Sequence, residues 1–260
     1  MKISIIHNVY QKNPYINDSI QYNIIALETS NVDYQYIIFN DKGDKEIYDD
    51  VKNLINEKVI YHYSDKNFGQ GKCSGGWVGA IPLIEGDIIH NTGQDDVFTK
   101  DFYIKAKEAF LQPDIGFFSC NGIKTDEQLN QKEILINPNY YPDFSNPIER
   151  FKEWFGVIEN QVTRANNGLL APGTLYRKEL HDIISPPSID DFLGTCDFEY
   201  WARMLFYGIK GKYEATPLWL YRVSDISLSN QVRKNNTDHR PPYLEKIKLK
   251  YKKLWKEKMQ

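Results

Sequence analysis

Two adjacent acidic residues, Asp95 and Asp96, follow a short apolar run in the segment IIHNTGQDDVF, residues 88–98. Neighbouring carboxylates repel each other unless a positive charge lies between them. A hard divalent cation such as Mg2+ or Mn2+ takes oxygen ligands and commonly combines one or two carboxylates with substrate phosphates. A metal–diphosphate site is therefore one interpretation of this pair. The alternative is a helix N-terminus, where acidic side chains cap free amides and favour the helix dipole.

Alternating strand and helix patterns in the first 121 residues would position this pair. Short β-branched and aromatic runs predict strands at 2–10, 34–41, 58–64, 86–92 and 115–120. Apolar residues at helical spacing predict helices at 18–30, with Asp18 as the cap, and at 46–55, 74–84 and 100–111. This alternation predicts an α/β fold with a mostly parallel central sheet flanked by helices.

Polar residues follow three of these predicted strands at the point where each strand ends. They are Asn8, Asp41 and the group Gln94–Asp96. In open α/β sheets, ligands bind in the crevice outside the carboxyl ends of the strands. We therefore expect these residues to line a common crevice.

The second half of the chain is less regular. Residues 122–165 lack the alternation, and 167–180 predict a strand or turn leading into a helix. A helix is predicted at 196–213, ended by Gly208 or Gly211, and a strand at 216–224. We interpret residues 1–242 as a single domain whose second half lies across the sheet.

Composition excludes several classes of protein. The net charge of −3 disfavours a nucleic acid partner, and no apolar run approaches the roughly 20 residues that span a bilayer. The start MKISIIHNVY lacks a signal-peptide pattern. Cys73, Cys120 and Cys196 are too few and too widely spaced for a disulfide framework or zinc knuckle. These features predict a cytoplasmic protein, and no GxGxxG or Walker motif supports oxidoreductase or ATPase chemistry.

The last segment, residues 243–260, is strongly basic. It holds seven Lys and two Glu, a charge of +5 that leaves −8 for the remainder. Leu244, Ile247, Tyr251 and Leu254 share one face of a predicted amphipathic helix. Such a helix either rests on the inner face of an anionic membrane or docks on its own domain by a narrow apolar stripe, with its lysines in solvent.

An ordered series of motifs resembles the family 2 glycosyltransferases. The series comprises Ile6–Tyr10, IIFNDKGD at 37–44, Asn67-Phe68-Gly69, the small-residue helix Ser74–Ala80, Gly86-Asp87, Gly93-Gln94-Asp95-Asp96, Cys196–Trp201, Tyr221-Arg222 and Ser227. The resemblance implies a GT-A, Rossmann-like fold with a nucleotide-sugar half at 1–121 and an acceptor half at 122–242. It also implies an inverting hexosyl transfer from a UDP- or GDP-sugar.

The resemblance assigns roles to individual positions. Asp95 takes the place of the metal-binding acid, with Asp96 beside it, and Asp197 takes the place of the general base. Asp41 and Asn40 would lie near the base and ribose of the nucleotide. The residues expected to hold the nucleotide-sugar are Asn8, Tyr10, Asn40, Asp41, Asn67, Gly69, Lys72, Gln94, Asp95 and Arg222. Mn2+ or Mg2+ is expected on Asp95 and Asp96, with His239 as a third ligand.

The sequence departs from the family pattern at three of these positions. Gly93 replaces the first acid of the metal motif, Asn40 the first acid of the strand-end pair, and Cys196 a Glu before the proposed base. The departures weaken the expectation of a metal and of a particular donor, and they leave the expected fold unchanged.

The chemistry of sugar transfer explains why such residues are needed. Negative charge grows on the leaving phosphate, so a metal or cations such as Lys72 or Arg222 must stabilise it. The acceptor hydroxyl loses its proton, so a carboxylate base is required. Asp197 is the first candidate, and the alternatives are Glu199 and Asp190-Asp191. Asp197 would otherwise be a helix N-cap with no chemistry.

The acceptor is expected to be a glycan or lipid-linked glycan in surface polysaccharide or glycoconjugate synthesis. Two other functions stay open. A nucleotidyltransferase shares the sheet and the paired acids, but the segment HNVYQKNPYINDS after the first strand has no glycine for the phosphate loop it needs. A catalytically inactive carbohydrate-binding or scaffolding protein is suggested by Gly93.

Overall fold

A central mixed sheet organises the computed structural model. The structure describes residues 1–69, 75–135, 143–165, 169, 172–188, 195–227 and 240–260. Within these residues the strands are β1 Lys2–Val9, β2 Asp33–Asn40, β3 Val59–Tyr63, β4 Ile88–Thr92, β5 Val97–Phe98, β6 Ile115–Thr125, β7 Gln131–Ile134, β8 Val157–Ile158, β9 Gln161–Val162, β10 Thr174–Arg177 and β11 Lys210–Arg222. Lys72, Asp190, Asp191 and His239 lie outside the described residues.

The direction in which successive strands are added to the sheet reverses at β1. The order is β3-β2-β1-β4-β10-β6-β11-β5, and β7 pairs with β6. Strands β1 to β4 are parallel to their neighbours in that group, whereas β10 is antiparallel to both β4 and β6. The chain moves outward from β1 to β3 and then crosses to β4 on the other side of β1. Such a switch point opens a crevice at the carboxyl ends of β1 and β4.

Both faces of the sheet are buried, as expected for parallel strands. On β2, Ile37 and Phe39 face one core, while Tyr36 and Ile38 face the other. The helices that cover the sheet, together with α8 at the end of the chain, are α1 Ile16–Thr29, α2 Ile47–Val51, α3 Gly75–Ala80, α4 Lys100–Phe110, α5 Pro147–Phe155, α6 Leu180–Ile184, α7 Cys196–Phe206 and α8 Arg240–Lys258. The mostly parallel α/β sheet predicted from the sequence is confirmed.

Gly208, one of the two glycines predicted to end the helix that starts at residue 196, does end it, whereas one predicted helix cap was wrong. The helix predicted at 196–213 ends at Phe206, because Gly208 adopts a φ of +80° and the chain enters β11 at Lys210. Asp18 was predicted as a cap, but Tyr15 occupies the cap position of α1 and makes no side-chain cap bond. Asp18 lies in the first turn instead.

Helix α5 was missed in the irregular region 122–165. Its start carries a recognisable signal, because Pro147 follows Asn146, whose side chain accepts a hydrogen bond from the Glu149 amide. Its end does too, since Gly156 has a φ of +52° in the left-handed region. Helix α5 packs on α7 and helps form the core beneath the second half of the chain.

The basic C-terminal helix docks on its own domain. Ile247, Tyr251 and Trp255 of α8 are buried, and the Tyr251 and Trp255 rings pack against Phe151 and Phe206. The apolar stripe predicted from the sequence is therefore used inside the protein, and the exposed side of the helix carries lysines. Among the described helices, none combines the length and apolar character needed to cross a bilayer.

Candidate active site

The crevice between β1 and β4 begins with a pair of asparagines. The Asn8 amide nitrogen donates to Asn91 Oδ1 at 2.6 Å and to the Thr92 carbonyl at 2.9 Å. Asn8 Oδ1 is buried and has no hydrogen-bond partner among the described residues. A Cβ added at Gly76 would lie 2.3 Å from that oxygen, so glycine is required where α3 approaches β1. Asn91 was not predicted, since nothing but its place in β4 marks it.

Gln94 and Tyr10 link the ends of β1 and β4. The Tyr10 amide donates to Gln94 Oε1 at 3.2 Å, and the Ser19 hydroxyl donates to the Gln94 carbonyl at 2.8 Å. The Tyr10 hydroxyl accepts a hydrogen bond from the Asn67 side chain at 3.3 Å. The structure thus brings together Asn8, Tyr10, Asn67 and Gln94, as predicted. Their contact with a ligand stays a prediction.

Asp95 and Asp96 form a turn after β4 and are not helix caps. The cap of α4 is Thr99, whose side chain accepts from the Phe102 amide. Asp96 is 3% exposed, and its Oδ2 accepts from the Gly93 amide at 3.3 Å. Its other oxygen is buried without a hydrogen-bond partner in the described part of the chain. The capping alternative for this pair is therefore wrong.

Burial raises the pKa of both acids. Desolvation raises the pKa of Asp95 from its ordinary value of 3.8 to about 6, and the positive charge of Arg222 opposes the rise. Desolvation raises the pKa of Asp96 as well, and the neighbouring Asp95 charge adds to the shift. The pair therefore holds a proton more tightly than exposed aspartates do, because burial disfavours the charged form.

Gly93 is explained by its distance to Asp96. A Cβ at residue 93 would lie 2.9 Å from Asp96 Oδ2. An acid at this position would press another carboxylate against a pair that is already buried. The turn therefore holds two acids in a form that requires glycine before them.

Arg222 is a buried cation beside this turn. It is 2% exposed, its guanidinium donates to Asp18 Oδ2 and to the Glu127 carbonyl, each at 2.9 Å, and it lies 4.6 Å from the Tyr15 ring centre. The predicted positive charge near Asp95 is therefore present. Each terminal nitrogen donates one of its N–H groups to the protein, and the buried Nε has no hydrogen-bond partner among the described residues. Contact of Arg222 with a phosphate therefore stays a prediction. Tyr15 and Asp18 were not predicted as parts of this cluster.

Asp41 fastens the Asn67–Gly69 turn to the end of β2. Its two carboxylate oxygens accept from the Phe68 amide at 2.8 Å and the Gly69 amide at 2.7 Å. Burial raises the pKa of Asp41, and these two amides oppose the rise. A Cβ at Gly75 would come within 1.9 Å of Gly69 N, so glycine again allows α3 to approach.

Asn40 builds the neighbouring turn and offers no free amide to a ligand. It is fully buried, donates to the Asp44 carbonyl and the Tyr61 hydroxyl, and accepts from the Gly43 amide. Both polar atoms of its amide are thus bonded inside the protein, and contact of Asn40 with the nucleotide stays a prediction.

Asp197 is the second residue of α7 and is partly buried. Thr195 occupies the cap position, so Asp197 is not an N-cap. Helix α7 lies against α3, where the Trp201 and Trp77 rings are 5.6 Å apart. Because α3 begins against Asn8 and Asp41, this packing puts α7 on the face of the sheet that borders the crevice.

Glu199 belongs to a buried ionic cluster. It is 1% exposed and accepts hydrogen bonds from Arg203 at 2.7 Å, Lys250 at 2.6 Å and the Tyr251 hydroxyl at 3.0 Å. Both of its carboxylate oxygens are bonded inside the protein. Glu199 is therefore a structural acid, which leaves Asp197 as the described candidate base. Asp190 and Asp191 are not described.

The donor set at the turn fits a hard divalent cation. Among the described residues, no group of three or more His, Cys, Asp or Glu side chains is placed to hold a metal. Asp95 and Asp96 supply at most two carboxylates, which is the usual number for Mg2+ when phosphates complete the shell. The partnerless Asp96 oxygen also fits this use. His239, the predicted third ligand, lies outside the described residues.

Known proteins were compared with this chain by sequence and by structure. No protein-family model matches it, and no curated protein sequence does either. TarS 1–349 from S. aureus, in complex with UDP-GlcNAc, superposes with a TM-score of 0.57 at 15% identity, over 87% of this chain and 60% of that one. The mannosyltransferase PcManGT from Pyrobaculum calidifontis, in complex with GDP-Man and Mn2+, gives 0.59 at 13%, over 95% and 67%.

The chain has a GT-A-like glycosyltransferase fold. The predicted fold class is thereby confirmed, and the resemblance found in the motifs agrees with it. This chain spans about 60% of the TarS fragment. The glycosyltransferase fold places Asp95, Asp96 and Asn8 at the switch-point crevice, where ligands of such sheets bind.

Proposed function

We propose that this protein is an inverting glycosyltransferase that moves a hexosyl group from a UDP- or GDP-sugar to a glycan hydroxyl. The observation that supports this most is the Asp95–Asp96 turn, in which Asp96 is buried at the crevice and carries a carboxylate oxygen without a partner among the described residues. Solved glycosyltransferases of the same fold are complexed with UDP-GlcNAc or with GDP-Man and Mn2+. Nucleotide-sugar transfer is the reaction that would use both the acidic turn and this fold.

The residues of the candidate site have separate roles in the proposed reaction. Asp95 and Asp96 would hold Mn2+ or Mg2+, which supplies positive charge to the diphosphate when bound. Arg222 adds a fixed positive charge that counters the acid pair. Asn8, Tyr10, Asn67 and Gln94 shape the crevice that would bind the nucleotide.

Asp197 would accept the proton of the acceptor hydroxyl as it attacks the sugar carbon. One carboxylate base without a nucleophilic partner is consistent with inversion.

The proposed setting is surface polysaccharide or glycoconjugate synthesis at the cytoplasmic face of a membrane, with a glycan or lipid-linked glycan as acceptor. The buried stripe of α8 leaves its exposed lysines, including Lys246, Lys252, Lys253 and Lys256, to make any contact with anionic lipid. Each lysine near such a surface contributes about 1 kcal/mol. Sedimentation with phosphatidylserine vesicles should then fall steeply as salt rises, and salt-independent sedimentation would contradict an electrostatic contact.

Substitution of the proposed base tests the reaction. Asp197→Asn should lower turnover by a factor of about 100 to 10,000, while the Kd for the nucleoside diphosphate stays unchanged. Asp101→Asn is the matched control, because Asp101 is likewise the second residue of its helix, α4. It should leave both quantities unchanged. Full turnover by the Asp197 variant would remove this residue from the proposal.

A donor titration separates this function from an inactive scaffolding protein. UDP- and GDP-sugars are titrated with and without Mn2+, and thermal stabilisation is measured. Binding that Mn2+ strengthens supports the transferase. Absence of binding for all donors would favour the scaffolding protein, as Gly93 suggested.

A further inference from the structure

Arg203 fastens the end of α6 to α7. Its Nη1 donates to the carbonyls of Ile184, Ser185 and Pro186 at 2.7, 3.3 and 3.4 Å. Its guanidinium also lies 5.1 Å from the centre of the Tyr200 ring. Arginine presents several donors in a rigid plane, so it can hold consecutive carbonyls in one arrangement.

The segment that Arg203 holds is strained. Ser185 follows α6 with φ 61° and ψ 155°, a conformation that is essentially restricted to glycine. Such a conformation persists only where surrounding contacts impose it. The three carbonyl bonds from Arg203 are contacts of that kind.

The other terminal nitrogen of the Arg203 guanidinium is held, through Glu199, by the C-terminal helix. Arg203 Nη2 donates to Glu199 Oε2 at 2.7 Å, and Glu199 Oε1 accepts from Lys250 and Tyr251 of α8. Tyr251 is fully buried, and its ring packs between Phe155 and Phe206. The cluster of Glu199, Arg203, Lys250 and Tyr251, called here the α7–α8 clamp, therefore joins α8 to the Ser185 segment through α7.

We propose that Arg203 is a positioning residue for Asp197 and that α8 supports it through the α7–α8 clamp. Asp197 belongs to the same helix as Glu199 and Arg203, the two residues through which α7 is held against Ile184–Pro186 and α8. The inference rests on the proposed function, in which Asp197 is the base. Arg203 touches neither donor nor acceptor in this scheme; it fixes the position of the helix that carries Asp197.

A second arginine provides a matched control. Arg177 also donates to three main-chain carbonyls, those of Phe110, Gln112 and Ile115, and lies 5.4 Å from the Phe110 ring centre. The two side chains are similarly buried, at 12% exposure for Arg203 and 18% for Arg177. Arg177 lies at the end of β10, at the edge of the sheet opposite the crevice. The two arginines therefore make the same kind of contact in places with different expected consequences.

The test compares Arg203→Lys with Arg177→Lys. Both should lower the melting temperature, because each loses carbonyl bonds. Arg203→Lys should also lower kcat about tenfold with the donor Kd within twofold of wild type, since a small misplacement of a reacting group is costly. Arg177→Lys should leave kcat unchanged. Equal kcat in the two variants at a temperature where both are folded would overturn the proposal.

Relieving the strain at Ser185 tests the proposal through kcat, in a way that a change in stability alone would not reproduce. Glycine adopts the Ser185 conformation without support, so Ser185→Gly added to Arg203→Lys should restore part of the lost kcat. The same change added to Arg177→Lys should have no effect on kcat. A double variant as slow as Arg203→Lys would show that the held backbone is not the cause.

A second pair of variants serves if Arg203→Lys does not fold. Lys250→Met removes a partner of Glu199, and Lys248→Met removes a Lys–Glu pair confined to α8, with side chains of similar exposure, 34% and 29%. Lys250→Met should lower kcat and Lys248→Met should not; identical kcat values would overturn the proposal. Lack of donor turnover by wild-type protein would instead refute the proposed function and leave the clamp geometry intact.

Discussion

At the carboxyl edge of the sheet, Asp96 and Asn8 are buried with polar atoms that lack partners in the described chain, whereas charged groups at the amino edge are satisfied. The amino edge has a groove of about 1270 Å³ bordered by Lys107, Arg177 and Lys178. Lys107 donates to the Asn31 carbonyl, Lys178 to the Ile84 carbonyl, and Arg177 to three carbonyls. The large groove is thus made of groups whose bonds are complete.

The volume of a groove therefore does not indicate whether its polar groups are available to bind a ligand. A polar group that is buried without a partner costs stability. Such a cost is expected where a ligand will later supply the missing partner. The carboxyl edge carries this signature, and the amino-edge groove does not. The experiments below test the comparison by making equivalent changes at the two edges.

The largest effect is expected from removal of an acid at each edge. Asp95→Asn should weaken Mn2+-dependent binding of a nucleoside diphosphate by at least about 100-fold, because changes outside the ligand shell alone cost 10–100-fold. Asp87→Asn removes an exposed acid at the amino edge that accepts from the Lys2 amide and should leave binding unchanged. Calorimetric titration measures both. Equal binding by the two variants would mean that the edges do not differ in function.

A smaller effect is expected when a methyl group is added to a glycine at each edge. In Gly75→Ala, the Cβ would lie 1.9 Å from Gly69 N and displace the turn that Asp41 holds. Gly86→Ala places a Cβ 2.6 Å from Ser4 N. Both changes should cost about 1–3 kcal/mol in urea unfolding. The donor Kd should rise about tenfold in the Gly75 variant only, and a similar rise in the Gly86 variant would contradict the comparison.

The smallest effect is a pH dependence of stability. The pKa of Asp95 rises from 3.8 when unfolded to about 6 when folded, so the folded protein binds more protons between these values. The free energy of unfolding should therefore fall as pH rises from about 4 to about 6. The fall is measured as the difference between wild type and Asp95→Asn, which cancels groups that do not interact with Asp95; Asp96 does interact with it, so the difference reports the pair.

Mn2+ gives an independent check of the same carboxylates. Bound metal needs them ionised, so Mn2+ binding should weaken below about pH 6. Asp87→Asn at the amino edge should retain the wild-type pH slope. A slope that persists in Asp95→Asn would assign the effect to other groups.

The sheet and much of the crevice could be predicted, because strand patterns and strand-end polar residues are local features. Asn8, Gln94, Asp95 and Asp96 follow strands in the sequence, and parallel strands bring their carboxyl ends to one edge. The bonds that Asn40 makes could not be predicted, for a physical reason. An amide at a strand end has the same sequence whether it faces a ligand or bonds its own turn, and only the path of residues 41–44 decides between the two.

Long-range contacts account for what was missed. Arg222 and Asp18 are far apart along the chain and meet because β5 pairs with β11 and also packs against α1. The sequence makes Glu199 a candidate base, but in the fold Lys250 of α8 donates a hydrogen bond to its carboxylate. The amphipathic pattern at 243–260 predicted a helix, but it could not show whether lipid or protein covers the stripe.

By itself, the sequence determined which segments become strands and helices and which polar residues follow the strands. Local periodicity and strand-end position encode these features. The tertiary structure alone decided which of those polar residues keep a buried polar atom that has no hydrogen-bond partner. That property depends on partners brought from distant parts of the chain, as Asp41 is satisfied by the Gly69 amide while Asp96 keeps a buried oxygen without a partner in the described chain.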